Sequence, residues 1–181
     1  MSIQRRQFLL TAGAGALLPA SGFAWLDRKL APWKANWIHV PGMSLTAFGV
    51  CHFRRTFQLA AAPSRFVVYV TGDSRYQLFC NGEKVSTGPA RGDLNHWRYE
   101  SVDLASKLKA GKNVLAAVVL NDGPDVALAQ FTLRTGFLLQ AGEGATDAVN
   151  TSREWRCTVN AAYQVANRPK TGGYMAISPM E

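Results

Sequence analysis

Cysteine is scarce. Cys51, Cys80 and Cys157 are the three in 181 residues, so at most one disulfide can close within the chain. None stands in a C-x-x-C pair, and none shares zinc-site spacing with His39, His52 or His96; a metal centre or a thioredoxin-like redox role has no support. Buried free thiols are the expectation. Long apolar runs are also missing. The stretch 8–18 is diluted by Thr11, Gly13 and Gly15 and, at eleven residues, falls short of the ~20 that cross a bilayer. No membrane span is expected. The formal net charge is +8, yet Lys and Arg occur as singles and pairs such as Arg28-Lys29 and Arg54-Arg55, never five together. Such scatter reads as solvated faces and gives no nucleic-acid or anionic-membrane stripe. No serine stands in a nucleophile elbow near the histidines, and no cofactor is expected.

What is present begins with a targeting segment. Gln4-Arg5-Arg6-Gln7-Phe8-Leu9-Leu10 resembles a twin-arginine export signal, with Gln4 where Ser or Thr is usual and Leu10 where Lys is frequent. Pro19 breaks the apolar stretch, and Gly22-Phe23-Ala24 supplies small residues for cleavage after Ala24. Residues 1–24 are therefore excluded from the fold, and the mature protein is expected to be periplasmic or secreted. Export in a folded state from a reducing cytoplasm fits a fold independent of disulfides.

Residues 25–50 form a lead-in segment with Trp33, Trp37 and two prolines, its aromatics packing on the domain and 37–40 forming a first strand. The domain proper is placed at 51–165 and a linker or truncated C-terminal segment at 166–181. Within 51–59, Cys51, Phe53, Arg55, Phe57 and Leu59 share one face, which makes Arg55 the exception on a buried side. The β-branched and aromatic run 66–71 suits a buried strand, broken at Gly72-Asp73. The stretch 74–122 organises the rest. Tyr76, Leu78 and Cys80 alternate with Gln77 and Phe79, Asn81-Gly82 supplies the positive-φ pair of a type I′ hairpin, and 83–87 returns. Pro89 has no amide donor, so 88–93 is a loop. Residues 97–104 read as a strand, Asp103 as the cap of a short turn 105–109 closed by 111–113, and 114–120 as a strand covered on both faces. Residues 130–140 and 155–159 add strands around the Gly- and Ala-rich 141–148. Many short strands with almost no helical periodicity define an all-β, antiparallel β-sandwich.

Sugars are held by an aromatic face and by planar polar side chains that reach paired hydroxyls. Two loops combine those residue types: Arg91, Asp93, Asn95, His96 and Trp97 in one, Asn121 and Asp122 in the other, with Asp125 beside it. In each, a plainer structural role competes, since Asp and Asn build turns and Trp packs cores. Catalytic carboxylates would be sought among Asp93, Glu100, Asp103, Asp122 and Asp125, but Asp103 is accounted for as a cap and Asp122 as a turn residue.

The run FRRTFQL, then RYQLFCNGEKVSTGPARGD, then HWRYESVDLASKLKAGKNVLAAVV, and later REWRCTVNAAY, resemble the N-terminal β-sandwich region of bacterial α-L-rhamnosidases over residues 33–165. The resemblance implies a galactose-binding-like jelly roll. It also implies that the catalytic carboxylates belong to a separate (α/α)-barrel domain, which no position of this sequence matches, so no catalytic or metal-binding residue is carried over. The expected function is that of a non-catalytic module of an exported rhamnosidase-like protein. Its partners would be a rhamnose-containing glycan or a catalytic hydrolase domain. The alternative is a stand-alone periplasmic protein that uses the sandwich as a protein-interaction surface.

Overall fold

The computed structural model describes residues 32–126 and 131–164. The signal segment, residues 25–31 of the lead-in, Gln130 and the 166–181 segment lie outside the described residues. The chain divides into two units, Met1–Pro32 and Trp33–Glu181, and the sandwich belongs to the second.

Eight strands are formed among the described residues: β1 Gly49–Leu59, β2 Val67–Asp73, β3 Arg75–Cys80, β4 Glu83–Gly88, β5 Glu100–Asp103, β6 Gly111–Asn121, β7 Gly136–Ala141 and β8 Arg156–Val159. They make a five-stranded sheet in the order β4-β3-β6-β1-β8 and a three-stranded sheet in the order β5-β2-β7. Every pairing is antiparallel, as expected for an all-β sandwich of the jelly-roll kind. The hairpin at Asn81-Gly82 is present, with φ of 50° and 91° at its two corners; both values lie in the region a type I′ turn requires.

The period of two along each strand sends one set of side chains between the sheets. Phe53 and Phe57 of β1, Leu78 of β3, and Leu115 and Val119 of β6 meet Val68 and Val70 of β2 and Phe137 and Leu139 of β7. Two aromatic stacks tie the layers. Phe53 lies on Phe137 at 5.5 Å between ring centroids, and Phe57 on Phe66 at 6.0 Å. Trp155 and Tyr76 close on Phe137 from two further sides. Arg55, the charge on the buried face of β1, is fully used at the rim: its guanidinium donates to the carbonyls of Ala148 and Glu154 and pairs with the Glu154 carboxylate. All three thiols are free, and burial pushes those of Cys51 and Cys80 up to about 11.

Several expected boundaries move, each for an identifiable reason. Segment 37–40 is no strand; only Ile38 forms a bridge, to Phe137. β2 runs through Gly72 and Asp73, because β7 pairs with both. β5 begins at Glu100 rather than Trp97, since Trp97 and Arg98 are held to Thr71 by side-chain bonds in place of a ladder. β6 starts already at Gly111, and its outward residues Val114, Ala116 and Val118 are half-buried rather than covered. β7 starts only at Gly136: the amides of Leu133 and Arg134 go to the Asp73 carboxylate and that of Thr135 to the Leu45 carbonyl. β8 starts at Arg156, one residue after the expected Trp155. The turn after Asp103 is a single 3-10 turn, Ala105–Lys107, with Leu104 in the cap position. Asp103 still serves it, accepting from the amides of Ala105 and Phe66, both at 3.0 Å.

Two predictions follow from this packing. Phe137→Ala should cost about 3–5 kcal/mol in urea denaturation, whereas Gln58→Ala on the exposed face should stay within about 0.5 kcal/mol. The amide of Ala105, then that of Phe66, holds the Asp103 carboxyl below the usual carboxylate range. A lowered folded-state pKa means stabilisation that is complete above the unfolded value and lost as pH falls through the folded one. Melting temperature against pH should therefore show Asp103→Asn below wild type at pH 6, with the gap closing below about pH 4.

Candidate functional site

The alternation that buries Val68 and Val70 turns Tyr69, Thr71 and Asp73 of β2 outward, and on β7 it turns Leu138 and Gln140 outward. Thr71 lies opposite Leu138 and Tyr69 opposite Gln140 in the ladder, so the outer face of the small sheet carries one continuous row of these side chains. β7 is an edge strand, and residues 34–38 cover its edge. The Gln140 side-chain carbonyl accepts from the amides of Lys34 and Ala35, and Ile38 exchanges two backbone bonds with Phe137, at 3.0 and 2.9 Å. This lays Trp33 and Trp37 over the sheet. Gly136 makes room: a Cβ there would come within 3.1 Å of the Trp37 ring.

From the other side the 89–99 loop returns Trp97 to the same face. Its indole N–H donates to Thr71 Oγ1 at 3.0 Å, and that hydroxyl donates onward to the Arg98 carbonyl at 2.7 Å. Trp97 meets Trp37 edge to face at 5.9 Å; Trp33, Tyr69 and Tyr99 form a second edge-to-face cluster at 5.4–6.4 Å. The result is a groove of about 750 Å³ between Trp33, Trp37, Trp97 and Tyr99, rimmed by Leu133 and Arg134, with Thr71, Asp73 and Leu138 on its floor. A volume of that size, largely apolar with a few polar groups, suits a small ligand. Trp33 and Trp37 are 39% and 46% exposed. Asp73 is 2% exposed. Its Oδ2 accepts from the amides of Leu133 and Arg134, both at 2.7 Å, while its Oδ1 has no hydrogen-bond partner among the described residues. A buried acceptor left in this condition is costly unless something bonds to it.

The residues expected from sequence are placed as follows. Trp97 lines the groove. Arg91, Asp93, Asn95 and His96 stand on the adjoining loop, where Asp93 is occupied by its own turn: its carboxylate accepts from the amides of Asn95 and His96 and from His96 Nδ1. The His96 ring bond, then the Asn95 amide, lowers the Asp93 pKa. The cleft under this loop, lined by Arg91, Asp93, Trp97 and Phe131, holds only about 20 Å³, roughly one water. Asn121 is fully buried and structural in its contacts, donating to Thr132 and Thr135 and accepting from the Gly123 amide. Asp122 is buried, its carboxyl pushed up by burial against the opposing pull of Arg75. Neither lines the groove, and of Asp125 only the backbone, in a 3-10 turn, is described. Glu100 accepts from the Ala90 amide at 2.9 Å. No three His, Cys, Asp or Glu side chains gather to hold a metal ion among the described residues, and no helix there is long and apolar enough to cross a membrane.

Sequence reasoning missed Thr71, Asp73, Tyr99, Leu133 and Arg134. Treating Gly72-Asp73 as a break hid the alternation Tyr69, Thr71, Asp73, which was the available signal. Trp33 and Trp37 were expected to pack on the domain; their half-exposure is what the spacing did not show.

Fold and groove together define a β-sandwich module with an aromatic-walled groove. Solved structures place it more narrowly. The GH78 family rhamnosidase of Bacillus sp. GL1 matches 70% of this chain with a TM-score of 0.64 and 28% identity, over 13% of its own length. An α-L-rhamnosidase from Dictyoglomus thermophilum matches 82% of this chain at a TM-score of 0.57 and 17% identity, over 20% of its own. The α-L-rhamnosidase of Streptomyces avermitilis, solved with L-rhamnose, matches 76% at 0.52 and 18%, over 14%. The chain is thus similar to a sandwich region of α-L-rhamnosidases, as its motifs implied, and spans 13–20% of the length of these enzymes. No family model matches the chain, and no curated protein matches it.

Asp73 is the polar pivot of the groove. Asp73→Ala should leave the Leu133 and Arg134 amides without their acceptor, costing about 2–3 kcal/mol. Hydrogen exchange at those two amides should accelerate in step.

Proposed function

We propose that this chain is a non-catalytic, carbohydrate-binding sandwich module of an exported rhamnosidase-like protein, and that its aromatic groove takes a rhamnose-containing glycan. One observation carries the reading: three indoles, two of them well exposed, and Asp73 line a single groove. An aromatic face accepts the C–H side of a sugar ring, and the few polar groups of the lining reach its hydroxyls. L-Rhamnose ends in a methyl group where most hexoses carry a hydroxymethyl, which suits the apolar wall of Leu133 and Leu138. Arg91, Asp93, Asn95 and His96 flank Trp97, in reach of sugar units beyond the first. Export rests on Arg5-Arg6 and the apolar stretch after them.

A second reading shares the same observation. Trp33, Trp37 and Leu133 are all at least 39% exposed, and a contiguous apolar patch also serves as a docking face, here for a catalytic (α/α)-barrel domain or another periplasmic polypeptide. Calorimetric titration separates the two. Carbohydrate binding predicts a saturable heat with a rhamnosyl disaccharide, a fall in affinity of about tenfold or more in Trp37→Ala, and no release of aryl alcohol from an aryl rhamnoside. No heat at millimolar sugar favours docking; turnover by the pure protein defeats both.

A further inference from the structure

A different face of the molecule carries a charge pattern the groove does not use. On the five-stranded sheet, the registers set outward-facing side chains in rows. One row reads Thr87, Gln77, Val118, His52, Thr158; the next reads Lys84, Phe79, Ala116, Arg54, Arg156. Arg75 and Leu120 begin the row before these, and Lys112 with Gln58 ends the sheet. Basic residues scattered singly in sequence are thereby gathered on one face, and no Asp or Glu occupies any of these positions. Arg54, Arg75 and Arg156 are exposed. Arg54 and Arg156 are direct cross-strand partners, and like charges set opposite one another repel. Asp122 is the carboxylate whose charge reaches Arg75, and burial works against its ionisation.

Around Arg75 the same face is hollowed. A groove of about 500 Å³ runs over Arg75, Gln77, Thr87, Val118 and Leu120, with Arg91 on the 88–91 segment as its far wall. Two guanidiniums, one amide and one hydroxyl thus line a shallow trough, and the Arg54–Arg156 pair lies on the same face roughly 15 Å from it by strand spacing and rise.

We propose that this outer face is a binding surface for an anionic polysaccharide, a chain of uronate-type sugars whose carboxylates pair with Arg75 and Arg91 in the trough and with Arg54 and Arg156 beyond it. Guanidinium groups match carboxylates in a planar, two-bond geometry. Gln77 and Thr87 take ring hydroxyls between them. The repulsion between Arg54 and Arg156 is relieved by the ligand charge, so binding and neutralisation coincide. Duplex DNA would meet the same charges through its phosphates, and it is the competing arm of the test. The trough-to-pair distance selects a ligand of several units over a single sugar.

The test uses the full chain with polygalacturonate oligomers, their fully methyl-esterified form, and duplex DNA of equal charge. The expected result is binding to polygalacturonate that weakens about tenfold or more between 50 and 500 mM NaCl, and no binding to the neutral ester. Arg75→Gln with Arg91→Gln, and separately Arg54→Gln with Arg156→Gln, should each reduce affinity about fivefold. Thermal melts should show the Arg75/Arg91 variant matching wild type and the Arg54/Arg156 variant no less stable than wild type, because all four side chains are at the surface and the second change removes a cross-strand repulsion. Trp37→Ala should leave polygalacturonate binding unchanged, which keeps this result apart from that of the aromatic groove. Absence of salt-sensitive binding, equal binding of the ester, or tighter binding of DNA would overturn the proposal.

Discussion

Phe137 faces two ways, and both layers of the molecule hang on it. Its ring lies on Phe53 of the opposite sheet, with Tyr76 and Trp155 against its other sides, so it fixes where the two sheets meet. Its amide and carbonyl point along the sheet edge and hold Ile38, so it also fixes where the lead-in segment crosses. Trp37 is the residue before Ile38. Core packing and groove wall are therefore coupled through one residue: a shift of the Phe137 ring moves the backbone on which the groove is built. The coupling follows from the period of two along a strand, which leaves no side chain on β2 or β7 without one of the two roles.

That economy explains why a module this small can carry a built groove. The inward set, Val68, Val70, Phe137 and Leu139, is wholly apolar and fully buried. The outward set, Tyr69, Thr71, Asp73, Leu138 and Gln140, is mixed, and three of its polar members are assigned: Gln140 to the lead-in backbone, Thr71 to Trp97 and Arg98, Asp73 to the 133–134 backbone. Asp73 alone retains an unmatched acceptor. Loops that reach the groove are tethered to its floor by these side chains, so the aromatic walls stand in place before any ligand arrives. Preorganisation of this kind lowers the ordering cost of binding.

The all-β sandwich was legible from alternation and turn chemistry. The Asn81-Gly82 hairpin, the 88–93 loop and the identity of most strands needed nothing beyond local sequence. Strand ends were less legible where side-chain bonds to distant backbone replaced ladder bonds, as Asp73 does at Leu133 and Thr71 at Arg98. The site was legible only in part. Trp97 was nominated by its loop, but the residues that share the groove with it come from residues 33 and 37, from β2 and from 133–134, and no local pattern links those. Asn121 illustrates the converse. Its residue type and turn position mark it for recognition, yet folding encloses it with Thr132, Thr135 and Gly123. The clustering of Arg54, Arg75 and Arg156 was equally hidden, because only strand register turns scattered charges into one face.

The central claim is that a sugar sits between the indoles above Asp73. A nitrogen–proton correlation NMR titration with a rhamnosyl disaccharide tests it most directly, since the indole N–H groups of Trp33, Trp37 and Trp97 and the amides of Leu133 and Arg134 each give a separate signal. The account predicts saturable shifts confined to those resonances and their neighbours. Shifts restricted to residues 88–96, or none at ligand concentrations in the millimolar range, would contradict it.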